Sequence, residues 1–123
     1  MRTIANILVV AVAIEHVWFL VLEMFLWTRP LGLRTFHMSL DKARASAALA
    51  ANQGLYNGFL AAGLIWGLVS PPERATAIKL FFLTCVLIAG AFGAFTVSRR
   101  IFLVQGLPAL LALILLCLSN GSG

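Results

Sequence analysis

Glu15, His16 and Glu23 stand inside residues 4–27, a stretch otherwise almost wholly apolar. An ionisable group at membrane depth costs about 2.5–3.5 kcal/mol to insert, so such groups mark sites with a task. A carboxyl and an imidazole held in a medium that penalises charge suit proton exchange with a bound molecule. His16 and Glu23 are two helical turns apart and share a face, while Glu15 points one step round. By helical rise, Glu15 and His16 sit near mid-depth, and Glu23 lies about 10 Å nearer one end. These three residues are the candidates for proton transfer.

A second polar set lies in residues 46–69, where Asn52 and Tyr56, and Gln53 and Asn57, are i,i+4 neighbours. If this stretch runs antiparallel to the first, Asn52 and Gln53 come level with Glu23. Tyr56 and Asn57 then approach the level of Glu15 and His16. Gln105 falls at the Glu23 level from a later stretch, and Trp18 sits near mid-depth, where it would line a pocket. Asn52, Gln53, Tyr56, Asn57, Gln105 and Trp18 are therefore the candidate ligand contacts. Each also has a plainer reading, because amides and phenols in membrane helices often serve only to join helices, at about 0.6 kcal/mol each. His37 lies among solvated charges and reads as an ordinary connector residue. A metal would need three or four converging ligands, which Glu15, His16 and Glu23 do not promise. No cofactor is implied by any motif.

The elements that must position these groups follow from composition. Of 123 residues, 62% are hydrophobic and only 11% charged, with a mean hydropathy of +1.02. A soluble domain carries about 25% charged residues. This excludes a disordered chain, a secreted disulfide scaffold and a cytosolic enzyme. Cys85 and Cys117 lie within apolar runs, without metal or redox spacing, and read as packing residues. The net charge of +5 would suggest nucleic acid in a soluble protein. Here the cations fall between apolar runs, where they set topology and meet lipid headgroups.

Four apolar runs, residues 4–27, 46–69, 76–97 and 101–118, each have the length of a transmembrane helix. Period-two alternation is missing throughout, which argues against a β-barrel. The expected fold is all-α: one integral membrane four-helix bundle spanning residues 1–123, with four transmembrane helices. The first run is too long for a signal-peptide core and is expected to stay in the mature protein. Residues 29–45 form the long connector and have room for a brief interfacial helix. Ser70-Pro71-Pro72 stops the second helix, Ser98-Arg99-Arg100 makes the last turn, and Gly32 and residues 119–123 read as flexible punctuation. Gly54 with Gly58, and Gly63 with Gly67, are GxxxG steps that let helices approach closely. Arg29, Arg34, Lys42, Arg44, Arg99 and Arg100 would share one side, against Arg2, Arg74 and Lys79 on the other. The richer side is expected to be cytoplasmic, in a bacterial inner membrane, with both termini outside.

The string Leu22-Glu23-Met24-Phe25-Leu26-Trp27, the run from Ala50 through Asn52-Gln53-Gly54-Leu55-Tyr56-Asn57-Gly58 to Gly63, and the pair Glu15-His16 carry a resemblance. The chain resembles, over essentially its whole length, the small bacterial and fungal membrane proteins catalogued as domain of unknown function 1304. That resemblance implies a four-span helical architecture and points again at the polar set, but supplies no reaction. Two analogies hold at the level of fold alone. Small multidrug-resistance transporters also carry a membrane-embedded Glu in helix one, for which Glu15 is the matching position. Their helix-three signature is missing here, and His16 and Glu23 are foreign to them. Sterol-isomerase-type proteins handle protons with buried carboxylates and a His in an apolar pocket, which fits His16 and Glu23 without aligned motifs.

The leading expectation is a polar pocket that binds a small apolar molecule, with isomerisation-like proton transfer. The alternatives are a small proton-coupled transporter, favoured as a homodimer for lack of room in one chain, and a structural or accessory subunit.

Overall fold

Proline and glycine punctuate the chain more sharply than hydropathy does. A computed structural model describes residues 1–121, and those residues contain helices and turns with no strand. Helix α1 (Arg2–Met24) is followed by the short α2 (Pro30–Thr35), then the long α3 (Leu40–Val69) and α4 (Pro72–Thr96). A short α5 (Arg99–Ile101) leads into a π-helical segment (Phe102–Gly106), which continues directly into α6 (Leu107–Gly121).

Three helices are long and apolar enough to cross a membrane: Arg2–Met24, Pro72–Thr96 and Arg99–Asn120. The expected second span, 46–69, lies inside α3, which is long enough at 30 residues. Its mid-helix amides Asn52, Gln53 and Asn57 keep it below the apolarity of the other three.

Several boundaries differ from the sequence expectation, each for a local reason. The first helix stops at Met24 and not at Trp27, since the N–H groups of Phe25 and Leu26 both turn onto the Val21 carbonyl (3.0 and 3.1 Å). Pro30 then opens α2 from its first turn, where a missing N–H is harmless. Gly32 is no flexible hinge: it is buried within α2, and a Cβ there would lie 2.0 Å from the Leu26 carbonyl oxygen. Pro72 does not merely end α3 but begins α4, with Pro71 as its N-cap. Ser98 likewise starts the last helix, its Oγ accepting from the Arg100 N–H at 3.2 Å. Residues 119–121 of the expected flexible tail are helical, and residues 122–123 lie outside the described region.

The chain divides into two compact units, the boundaries falling inside α1 and α3. The first comprises Met1–Ala13 and Ala62–Gly123. Its buried residues include Val9, Val12, Leu64, Leu83, Val86, Ala109, Ala112 and Leu116. Lipid tails are as apolar as leucine, so helices here associate through close packing and not through the hydrophobic effect. Gly90 meets Gly106 backbone to backbone, and a Cβ on Gly90 would come 2.7 Å from the Gly106 nitrogen. The π turn has a visible cause. Pro108 has no N–H to continue the α pattern, and the Leu107 N–H bonds back to the Phe102 carbonyl, five residues earlier.

The second unit is Ile14–Ala61: the end of α1, α2 and most of α3. Gly54 packs on Met24 and Glu23, and Gly58 on Leu20. That order fixes α3 as antiparallel to α1 within the unit. The turn is tied by Trp27, whose indole N–H donates to Ser46 Oγ at 3.1 Å and whose ring lies 4.8 Å from that of Phe36. Several helical hydroxyls bond back to the carbonyl four residues earlier, as Thr35 does to Leu31 and Thr84 to Leu80 (both 2.7 Å).

Candidate functional site

The site centres on the second unit. Glu23 sits in the last turn of α1 and Asn57 in the middle of α3, and the Asn57 amide donates from Nδ2 to the Glu23 carboxyl oxygen Oε1. At the level of the backbone, Glu23 lies beside Gly54. Its carboxyl nevertheless reaches Asn57, nearly a turn further along α3. Side chains on a helix lean toward its N-terminus, and on an antiparallel neighbour that direction leads to later residues. The glycines at 54 and 58 leave the space for this reach. Asn57 is buried at 6% exposure and Glu23 is half-buried.

Two turns back on the same face, His16 is fully buried, with its ring edge-on to Phe19 at 5.3 Å. Its Nδ1 lies 4.0 Å from Glu15 Oε1. That carboxyl oxygen is itself buried and has no hydrogen-bond partner among the described residues. A buried acceptor without a donor is an expensive arrangement.

The other expected contacts are placed differently. Asn52 and Gln53 are exposed on α3, and so is Tyr56, whose ring lies 6.1 Å from that of Phe59. Trp18 is exposed on α1. Gln105 belongs to the first unit, where it sits half-buried in the π-helical segment. Within the second unit the structure thus brings together Glu15 and His16, and separately Glu23 and Asn57. His37 is exposed at the end of α2 in a left-handed conformation, φ 53°. Among the described residues, no three His, Cys, Asp or Glu side chains converge as a ligand set.

Sequence reasoning passed over one polar pair. Lys79, counted there only among the topology-setting cations although it falls within the 76–97 run, lies in the second turn of α4 and is only 5% exposed. Its ammonium donates to Asn6 Oδ1 on α1 at 2.8 Å, within the first unit. The available signal was Gly67, against which the Lys79 side chain packs.

An all-helical chain with three spans of membrane character and ionisable groups held inside them is a membrane-type protein of a recognisable kind. It belongs to the family described as Protein of unknown function (DUF1304), whose pattern it matches over residues 10–117. It is similar to the uncharacterized protein YpaA of Lactococcus lactis subsp. lactis (strain IL1403), with 32% identity over 116 residues, 93% of this chain and 97% of that one. No solved structure matches the chain.

Proposed function

We propose that the chain is a four-span protein of a bacterial cytoplasmic membrane that binds a small, largely apolar molecule beside Glu15 and His16. In this reading α3 is the fourth span, and its amides account for its lower hydropathy. The six cations of the first and third connectors face the cytoplasm and both termini lie outside. The observation that carries the binding reading is the buried, unpartnered Glu15 oxygen 4.0 Å from the buried His16 ring. A hydroxyl or other polar donor on an otherwise apolar molecule would satisfy it. His16 and Glu15 are then the pair that exchanges a proton with the molecule, and Glu23, held by Asn57, is a reserve carboxyl on the same face of α1.

Mass spectrometry of small molecules extracted from the purified protein tests this reading. A compound carried by wild type and lost from Glu15→Gln and His16→Ala is the expected result. Well-folded wild type that carries the same background as both variants overturns it.

One observation favours a structural role. The Glu23–Asn57 hydrogen bond joins α1 to α3 directly, as expected for a group that only locks helices. That role predicts that Glu23→Gln leaves the extracted compound in place. Proton coupling in a transporter predicts that the same variant stops uptake driven by a pH gradient in proteoliposomes.

A further inference from the structure

Along α3 the residues Leu49, Asn52, Tyr56 and Phe59 follow the three-four-three spacing of a seam between two helices. All four are exposed, Leu49 at 76% and Phe59 at 57%. Gln53 is exposed beside them. The side chains of Asn52 and Gln53 have no hydrogen-bond partner among the described residues. An amide facing hydrocarbon leaves two donors and an acceptor unsatisfied, and lipid tails supply neither. Asn57, one turn on from Gln53 and further round the helix from the seam, shows what this sequence does with an amide that has a partner: it is buried and bonded.

We infer that the Leu49–Asn52–Tyr56–Phe59 face of α3 is the contact between two copies of this chain, closed by amide hydrogen bonds from Asn52 and Gln53. The chemistry selects a second copy over other occupants. A side-chain amide carries both donor and acceptor, so across a two-fold axis the same residue from each copy completes the other. The flanking Leu49 and Phe59 then pack against their own equivalents, removing large apolar side chains from the lipid boundary. The inference rests on α3 lying in the membrane, and not on the ligand reading.

Cysteine cross-linking in native membranes tests it, in a Cys85→Ala, Cys117→Ala background. Leu49→Cys and Phe59→Cys should form covalent dimers on mild oxidation. Phe95→Cys, on α4 at 96% exposure, should not. Adding Asn52→Leu with Gln53→Leu should lower the Leu49→Cys dimer about tenfold, the effect of losing interhelical hydrogen bonds on an association constant. Helical circular dichroism should stay unchanged. Leu55→Cys, treated with a membrane-impermeant maleimide, separates the two ways to fail. Labelling would place α3 outside the membrane and overturn the inference together with the four-span reading. Protection of Leu55→Cys without seam cross-links would leave four spans standing and overturn the dimer alone. A cross-link to a different protein, or equal dimerisation through Phe95→Cys, would overturn it too.

Discussion

Glu23 and Lys79 are each met by an asparagine from another helix, and the two arrangements invert each other. In the second unit the Asn57 amide donates its N–H to a carboxyl on α1. In the first unit the Asn6 carbonyl accepts from an ammonium on α4. One side-chain type serves both signs of charge because it is donor and acceptor at once. The difference lies in burial and in company. Lys79 is almost wholly enclosed and has no carboxylate within 4.0 Å among the described residues. Glu23 is half-buried, and Glu15 and His16 lie on the same helix within its unit. The first arrangement is enclosed, while the second leaves its ionisable group partly exposed.

That contrast is broken most readily at Asn6. Asn6→Leu strands a buried ammonium and should lower stability by about 3 kcal/mol, read as a fall in detergent thermal unfolding. Lys79→Met removes the buried charge and leaves only the half-buried Asn6 amide without its donor, so it should cost less, about 1 kcal/mol. Equal losses from the two variants would mean that Lys79 is not isolated as described.

Next in size is Gly54→Val. A Cβ at residue 54 would lie 2.7 Å from the Met24 side chain and 3.1 Å from Glu23 Cβ, so the branched residue should cost about 1–3 kcal/mol through overpacking. It should also part Glu23 from Asn57, which makes the double change Gly54→Val with Asn57→Leu less than additive. Asn57→Leu alone should cost about 1 kcal/mol, near the range measured for interhelical hydrogen bonds in membranes. Smallest of all, Glu23→Gln keeps a hydrogen-bonding partner for Asn57 and should change unfolding by less than about 0.6 kcal/mol. A large loss there would make the charge itself, and not the hydrogen bond, the stabilising element.

The same comparison explains what could be read from the sequence. Glu23 stands out because it is a carboxylate inside an apolar run. The all-helical make-up and three of the expected spans were equally plain from run length. Lys79 escapes because it is weighed only as a charge that sets topology, although it falls within the 76–97 run. Only the fold shows that it is enclosed there, 5% exposed, and met by Asn6 from α1. The direction of a side chain was a second hidden quantity. Residue levels along two antiparallel helices set Gln53 beside Glu23, yet the lean of the carboxyl toward the start of α1 selects Asn57. Exposure at Asn52, Gln53 and Tyr56 was hidden for a third reason. In a lipid-embedded helix both faces are apolar, so periodicity does not say which one is covered.

The turn forced by Pro108 makes the last helix count differently on its two sides. A π turn holds one residue more than the α-helix around it, so everything before it is rotated by about 100° from the register that α6 alone would extrapolate. From its last residue onward, the enclosed positions Gly106, Ala109, Ala112, Leu116 and Ser119 form one unbroken line. Removing a single residue between 102 and 105 should therefore be absorbed by reverting the turn to ordinary helix, leaving that line intact. The same removal between 109 and 116 would swing half of the line toward lipid. The tolerance of this helix to changes in length is thus concentrated in one turn.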